Sequence, residues 1–274
     1  MITASPPAPS PTPAGPCAAG ALASISDRPG LGRSPATNGA ACVALPGTIV
    51  VEAGYRNQTT VGSGTQELST FPNLIVRIGI GVDNEIVLAP PLLRSQRDGE
   101  NPSSGFAPAT GMQDAGIGVK HLLHDNAWMQ DALNLFVTLP TGYPSNGSGF
   151  SAGLPTYTFG YSIVFALSSR IGLSTTNNLV INAAPNSAAT PQRFVMYQPS
   201  AGLSYALSPN ATLLLEDQLS SPNGPGSTAG NRALAGVQCT ISPNVVLDAE
   251  LESNLTPYPN RTQRAIDAGI TTLL

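Results

Sequence analysis

Eight acids and four bases of this 274-residue chain stand at alternate positions in strand-like runs. They are Glu52, Glu85, Asp114, Glu216, Asp248, Glu250, Glu252 and Asp267, against Arg56, Arg77, Lys120 and Arg232. Side chains alternate across a strand, so a period of two gathers these groups on one face of the sheet that forms. Ionisable groups collected in this way can pair across neighbouring strands and fix register. They can also line a solvated surface, where the excess of acids would favour cations. Asp248, Glu250 and Glu252 lie on one face of one run and repel each other unless bases answer them; Arg232 and Arg264 are the nearest in sequence.

Covalent chemistry is poorly served. The two histidines, His121 and His124, flank a short turn with no nucleophile-bearing signature, so no catalytic residue and no enzyme are expected. Cys17, Cys42 and Cys239 form no CxxC pair and have no histidine at ligand spacing, so neither a metal nor another cofactor is expected. DNEIV at Asp83 and RDGEN at Arg97 lack the spacing of a calcium loop. Cys17 and Cys42 flank a Gly- and Pro-rich stretch. In an oxidising compartment they would close a disulfide worth roughly 3 kcal/mol on the loop-entropy argument; elsewhere they are two thiols. Cys239 falls on an aliphatic face as a small hydrophobe.

The element that must position the charges is clearest at DAGIGVKHLLHDNAWMQDALNLFVTLPTG, Asp114 to Gly142. Asp114, Gly116, Gly118 and Lys120 alternate with Ala115, Ile117, Val119 and His121. After a polar turn at His124 to Ala127, Ala132, Asn134, Phe136 and Thr138 alternate with Leu133, Leu135, Val137 and Leu139. This is a hairpin with one small or polar face and one aliphatic face. A soluble sheet would need a second layer over the aliphatic face, and the chain offers no amphipathic helix to supply it. A membrane barrel resolves the pattern by turning the aliphatic face to lipid and the polar face to an interior.

Composition agrees. Only 10% of the residues are charged, well under the roughly 25% of soluble proteins, so little surface faces water. No apolar run reaches the roughly 18 residues of a helical span, and Leu74 to Val82 is short and contains Arg77. The net charge of −4 and scattered bases argue against nucleic acid. Residues 1–44 are rich in Pro, Ala, Ser and Gly (SPPAPSPTPAGP), a composition that cannot bury enough apolar surface to fold alone, and a flexible arm is expected. Met1 to Pro16 has neither the basic start nor the apolar stretch of a secretory signal.

Residues 45–274 divide into about twelve runs, from Thr48–Asn57 to Gln263–Leu274, and predict an all-β antiparallel transmembrane barrel. Pro90 and Pro91 should interrupt the third. Thr156–Ser168 turns Tyr157, Phe159, Tyr161, Ile163, Phe165 and Leu167 one way, toward lipid. Short connections (GVDN, HDNA, SSR and SPN twice) alternate with long Gly-, Pro-, Ser- and Asn-rich ones. That asymmetry belongs to outer-membrane barrels, with tight periplasmic turns and long external loops. An even strand number leaves both chain ends, and the arm, in the periplasm, where Cys17 and Cys42 could oxidise. The partners expected are a lipid bilayer, the barrel assembly machinery and a small-molecule solute.

Four stretches carry a resemblance. ISDRPG at Ile25 to Gly30, PGTIVVEAGY at Pro46 to Tyr55, QDAGIGVK at Gln113 to Lys120 and LPTG at Leu139 to Gly142 resemble bacterial outer-membrane transporters assigned to phenol degradation, the MetA-pathway family. The resemblance implies a barrel of about twelve strands and a role in passage of small aromatic or hydrophobic molecules. A structural or adhesive barrel with a closed lumen is the alternative.

Overall fold

The computed structural model describes residues 41–44, 46–61, 65–91, 93–99, 109–143, 150–151, 153–184, 192–222, 229–242, 244–256 and 262–274. Its strands are β1 (Ile49–Val61), β2 (Thr65–Phe71), β3 (Ile75–Ile80), β4 (Asn84–Ala89), β5 (Leu93–Gly99), β6 (Ala109–Met112), β7 (Ala115–Asp125) and β8 (Met129–Leu139). They continue as β9 (Thr156–Ala166), β10 (Ile171–Ala184), β11 (Gln192–Ser208), β12 (Ala211–Ser220), β13 (Gly230–Ser242), β14 (Val245–Thr256) and β15 (Thr262–Leu273).

Twelve of these segments form an antiparallel ring, closed where β1 pairs with β15 from Val50↔Leu273 to Val61↔Thr262. Closure removes both sheet edges, which leaves no unpaired ladder for lipid to meet. The remaining three segments extend staves already in the ring: β2 continues β3 along β1, β5 continues β4 along β2, and β6 continues β7 along β5. Their interruptions line up. Continuing the β3·β4 and β4·β7 registers across the gaps sets Asn73 beside Pro91 and Pro91 beside Asp114. Pro72, Pro90 and Pro91 have no N–H to give the ladder, so three adjacent staves break at one level. The third expected run thus appears as β4 and β5, parted at its prolines as the sequence predicts.

Two-residue alternation sets the facing. On β8, Leu133 and Leu135 are 48% and 42% exposed and the preceding Ala132 is 0%, so the aliphatic stripe points outward and the small or polar face inward. Phe136 is the exception in size on the inner face. A Cβ on Gly116 or Gly118 would collide with its ring, so these two glycines make the shelf on which Phe136 lies. The ring joins Ile75 and Val87 in an inward apolar cluster, with Ala89 against it.

The short turns lie at one end, and two of them are closed by their own polar side chains. Asn126 Oδ1 accepts from the N–H of Trp128 and Met129 (3.2 and 3.1 Å), and Ser168 Oγ accepts from Arg170 and Ile171 (3.2 and 3.1 Å). The first of these turns falls at residues 126–128, slightly later than the expected His124 to Ala127, because β7 runs on to Asp125. Trp128 is exposed and stacks on Phe165 at 6.1 Å, forming an aromatic pair at the rim.

Candidate functional site

The inner wall holds two charged groups of residues, both built from the alternating positions. The first is near the short-turn end. Arg77 on β3 reaches Glu85 on β4, its hairpin partner strand, with Nε 3.0 Å from Oε1 and Nη2 2.8 Å from Oε2. Its Nη1 lies 3.6 Å from Glu52 Oε1 on β1, and Lys120 Nζ on β7 lies 3.6 Å from Glu85 Oε1. All four residues are nearly inaccessible, at 5% exposure or less. Two bases answering two acids is the arrangement that makes such burial tolerable, since an unmatched charge here would cost several kcal/mol.

Into this cluster runs a segment that sequence reasoning placed in the arm. Ala41, Cys42, Val43 and Ala44 are buried against inward-facing residues of the wall. The Cys42 carbonyl accepts from Lys120 Nζ (2.7 Å) and Arg77 Nη2 (3.1 Å), and the Ala44 N–H donates to Glu85 Oε2 (2.6 Å). Val43 and Cys42 pack with Leu122, and Ala44 packs with Val50, Val246 and Leu273. The segment thus spans the arc from β14 through β1 to β7 at the short-turn mouth, held by its backbone polar groups. That explains why its sequence carries no signal for the site: any residue has a carbonyl. Cys42 is disulfide-bonded, with Sγ 2.9 Å from Gln130 Oε1, and Cys17 lies outside the described residues. So does the ISDRPG stretch.

The second group forms a girdle farther up the lumen. Arg56 Nη2 donates to Glu252 Oε2 at 2.5 Å, and Arg232 Nη1 donates to Glu252 Oε1 at 3.0 Å. Arg56 Nη1 stands 4.0 Å from both Glu250 Oε1 and Asp267 Oδ2. Three amides complete it: Arg232 Nη2 donates to Gln218 Oε1, Gln263 Nε2 to Glu252 (3.2 Å) and Asn73 Nδ2 to Asp267 (3.3 Å). The expectation that Arg264 would answer the β14 acids is corrected. Arg264 is exposed on the outward face of β15, between inward Gln263 and Ala265, and Arg56 from the next strand takes its place.

Of the other expected lumen residues, Asp114 accepts from the Gly142 N–H at 2.7 Å, tying the break between β6 and β7 to the residues after β8. Glu216 and Asp248 face inward on β12 and β14, beside the girdle through Gln218 and Glu250 on the same strands. Between the charged groups, the wall of β8 to β11 is uncharged. Ser162 Oγ and Thr176 Oγ1 are 3.3 Å apart, and Asn134 Nδ2 lies 3.4 Å from Ser162 Oγ. The histidines are on the outer wall. His124 Nδ1 is 2.7 Å from Asp131 Oδ1, and the Tyr161 hydroxyl donates to Asp131 Oδ2 at 2.8 Å, so the two satisfy a buried outward-facing acid that alternation alone does not reveal.

No family model matches the chain, and no curated protein sequence does. Solved structures do. An outer membrane channel from Pseudomonas putida F1 is similar with a TM-score of 0.64 at 11% identity, over 85% of this chain and 97% of that one. The NanC porin is similar at 0.53 and 9%, over 80% and 98%. The translocator domain of the autotransporter NalP from Neisseria meningitidis is similar at 0.55 and 12%, over 82% and 88%. At such identities the likeness is one of fold: a closed twelve-stranded antiparallel membrane barrel of the outer-membrane kind.

Proposed function

We propose that the chain is a bacterial outer-membrane channel that passes small solutes, aromatic or hydrophobic ones among them, with a periplasmic segment narrowing its mouth. The observation that carries this is the division of the closed ring, whose inner face bears both charged groups while the outer face is aliphatic. A polar interior is what a water-filled lumen requires, and the similar solved structures include an outer membrane channel and a porin. The apolar cluster of Ile75, Val87 and Phe136 on the same inner wall supports a solute with an aromatic or aliphatic part, in keeping with the resemblance to phenol-degradation transporters. On this reading residues 1–44 form a periplasmic arm that a Cys17–Cys42 disulfide limits, and residues 45–274 form the barrel. The bilayer and the barrel assembly machinery are its partners.

Swelling of liposomes that contain the purified, folded chain tests the reading. Above the entry measured in protein-free liposomes, which apolar solutes cross unaided, small phenolic or short aliphatic solutes should enter faster than a hexose of similar mass. Equal rates for all solutes would refute the proposed solute class. Absence of entry by any solute or ion would favour the other reading, a barrel closed by residues 41–44, which their burial against the inner wall supports.

A further inference from the structure

The chain contains two histidines, and the fold brings both to one patch of the outer wall, at the short-turn end of β7. Strict alternation would separate them. His121 faces outward, and His124, three residues on, would then face the lumen. A β-bulge prevents this: Leu122 pairs with Ala132 and His124 with Asp131, so β7 carries one residue, Leu123, more than β8 between these pairs. His121 opposes Leu133 and His124 opposes Asp131. Those partners are two residues apart on β8, which sets the histidines about 7 Å apart along the wall, on one face.

Both rings are held by the same nitrogen. His121 Nδ1 is 2.9 Å from Asn84 Oδ1 on β4, and His124 Nδ1 is 2.7 Å from Asp131 Oδ1 on β8. Both oxygens accept, so in each neutral ring the proton sits on Nδ1 and Nε2 keeps its lone pair. Asp131 is itself fixed by the Tyr161 hydroxyl at 2.8 Å. A ring N–H given to a carboxylate or carbonyl oxygen is what orients histidines as metal ligands and raises their basicity. The rings lean opposite ways, His121 toward β4 and His124 toward β8. Nε2 lies across the imidazole from Nδ1, so each ring carries its Nε2 back over β7. Both residues are exposed, the His124 side chain by 66%, and neither Nε2 has a partner among the described residues.

We propose that His121 and His124 form a site for a divalent transition-metal ion, copper, nickel or zinc, bound through the two Nε2 atoms. Imidazole nitrogens suit these ions, whereas calcium and magnesium take oxygen ligands. No third His, Cys, Asp or Glu is placed to join them among the described residues, so water completes the coordination. The bulge is what makes the pair a chelate. Satisfying Asp131 alone needs His124 and Tyr161 and gives no role to the matching bond between His121 and Asn84.

The test uses the untagged, folded full chain in detergent, titrated with copper(II). Trp128, the only tryptophan, lies in the turn after β7, so quenching of its fluorescence reports binding, and electron paramagnetic resonance counts the nitrogens on the metal. Two imidazole nitrogens per copper are expected. His121→Ala and His124→Ala should each leave one and weaken binding roughly a hundredfold, the gain that a second tethered ligand gives. Asp131→Leu, which removes the oxygen that orients His124, should weaken it about tenfold or more. His121→Ala leaves the contacts of Asp131 intact, so its loss of affinity is not a loss of fold at that pair. Fewer than two nitrogens per copper in the parent, or single variants that bind as the parent does, would overturn the site. Undiminished binding with both histidines replaced would also overturn it, by placing the copper elsewhere on the chain.

Discussion

Replacing Glu250 and Glu252 by glutamine should invert the charge of the girdle. Arg56 and Arg232 bring two positive charges to it, and Glu250, Glu252 and Asp267 bring three negative, so 2 − 3 gives −1 in the parent and 2 − 1 gives +1 in the variant. An ion passing about 5 Å from a unit charge, in water at 0.1 M salt, experiences about 0.5 kcal/mol after screening. That is roughly a twofold change in local concentration for each sign of ion, so about fivefold in the cation-to-anion ratio. The girdle should therefore favour cations about fivefold in the parent and anions about fivefold in the variant, with the rest of the lumen unchanged. The assay is the reversal potential across a salt gradient in a planar bilayer. At 1 M salt, where the screening length falls to about 3 Å, each preference should shrink to less than about twofold. A folded, conducting double variant with the parent's reversal potential would refute the reasoning. It would show that these acids are scaffolding for the two arginines and leave the uncharged Ser162, Ser200, Ser204 and Gln198 face as the path that ions follow.

Facing is testable on one strand. Leu203→Arg puts a charge on the lipid side at a cost of roughly 2 to 4 kcal/mol near midplane and should deplete folded, heat-modifiable barrel. Ser204→Arg, directed into the lumen, should not, and equal yields would mean that the facing of β11 is wrong. At the short-turn cluster, Arg77→Met leaves Glu52 and Glu85 with Lys120 alone and should cost about 3 to 5 kcal/mol in urea unfolding. Arg77→Met combined with Glu85→Leu should recover part of that loss, and additive losses would show that the pair is not coupled. Orientation is read by cysteine labelling of whole cells with an impermeant reagent: Ala229→Cys at the long-loop end should react above the parent background and Asn210→Cys in a short turn should not. The reverse pattern would invert the proposed topology.

The barrel was legible because its physics is local. A period of two with aliphatic residues on one face, Ile117, Val119, Leu133 and Leu135 being the plainest, holds whatever the distant contacts are. The break at Pro90 and Pro91 follows from a missing donor and needs no tertiary information. The pairings inside the lumen were less legible, because strand neighbours across the closure are distant in sequence. Arg56 meets Glu252 only after β1 joins β15, 196 residues apart along the chain, and so Arg264 looked nearer than it is. The seat of residues 41–44 was not legible at all. Its hydrogen bonds come from the backbone of Cys42 and Ala44, and its Ala- and Pro-rich surroundings describe a segment that does not fold alone, which leaves open that a barrel holds it.

Single-channel conductance in planar bilayers bears most directly on the central account. The parent should open in small, discrete steps, and deletion of residues 1–44, which removes the segment lodged between Arg77, Glu85 and Lys120, should give larger steps through an otherwise unchanged folded barrel. Equal conductance in the two would contradict the claim that this segment narrows the mouth, and silence in both would contradict the claim that the barrel is a channel.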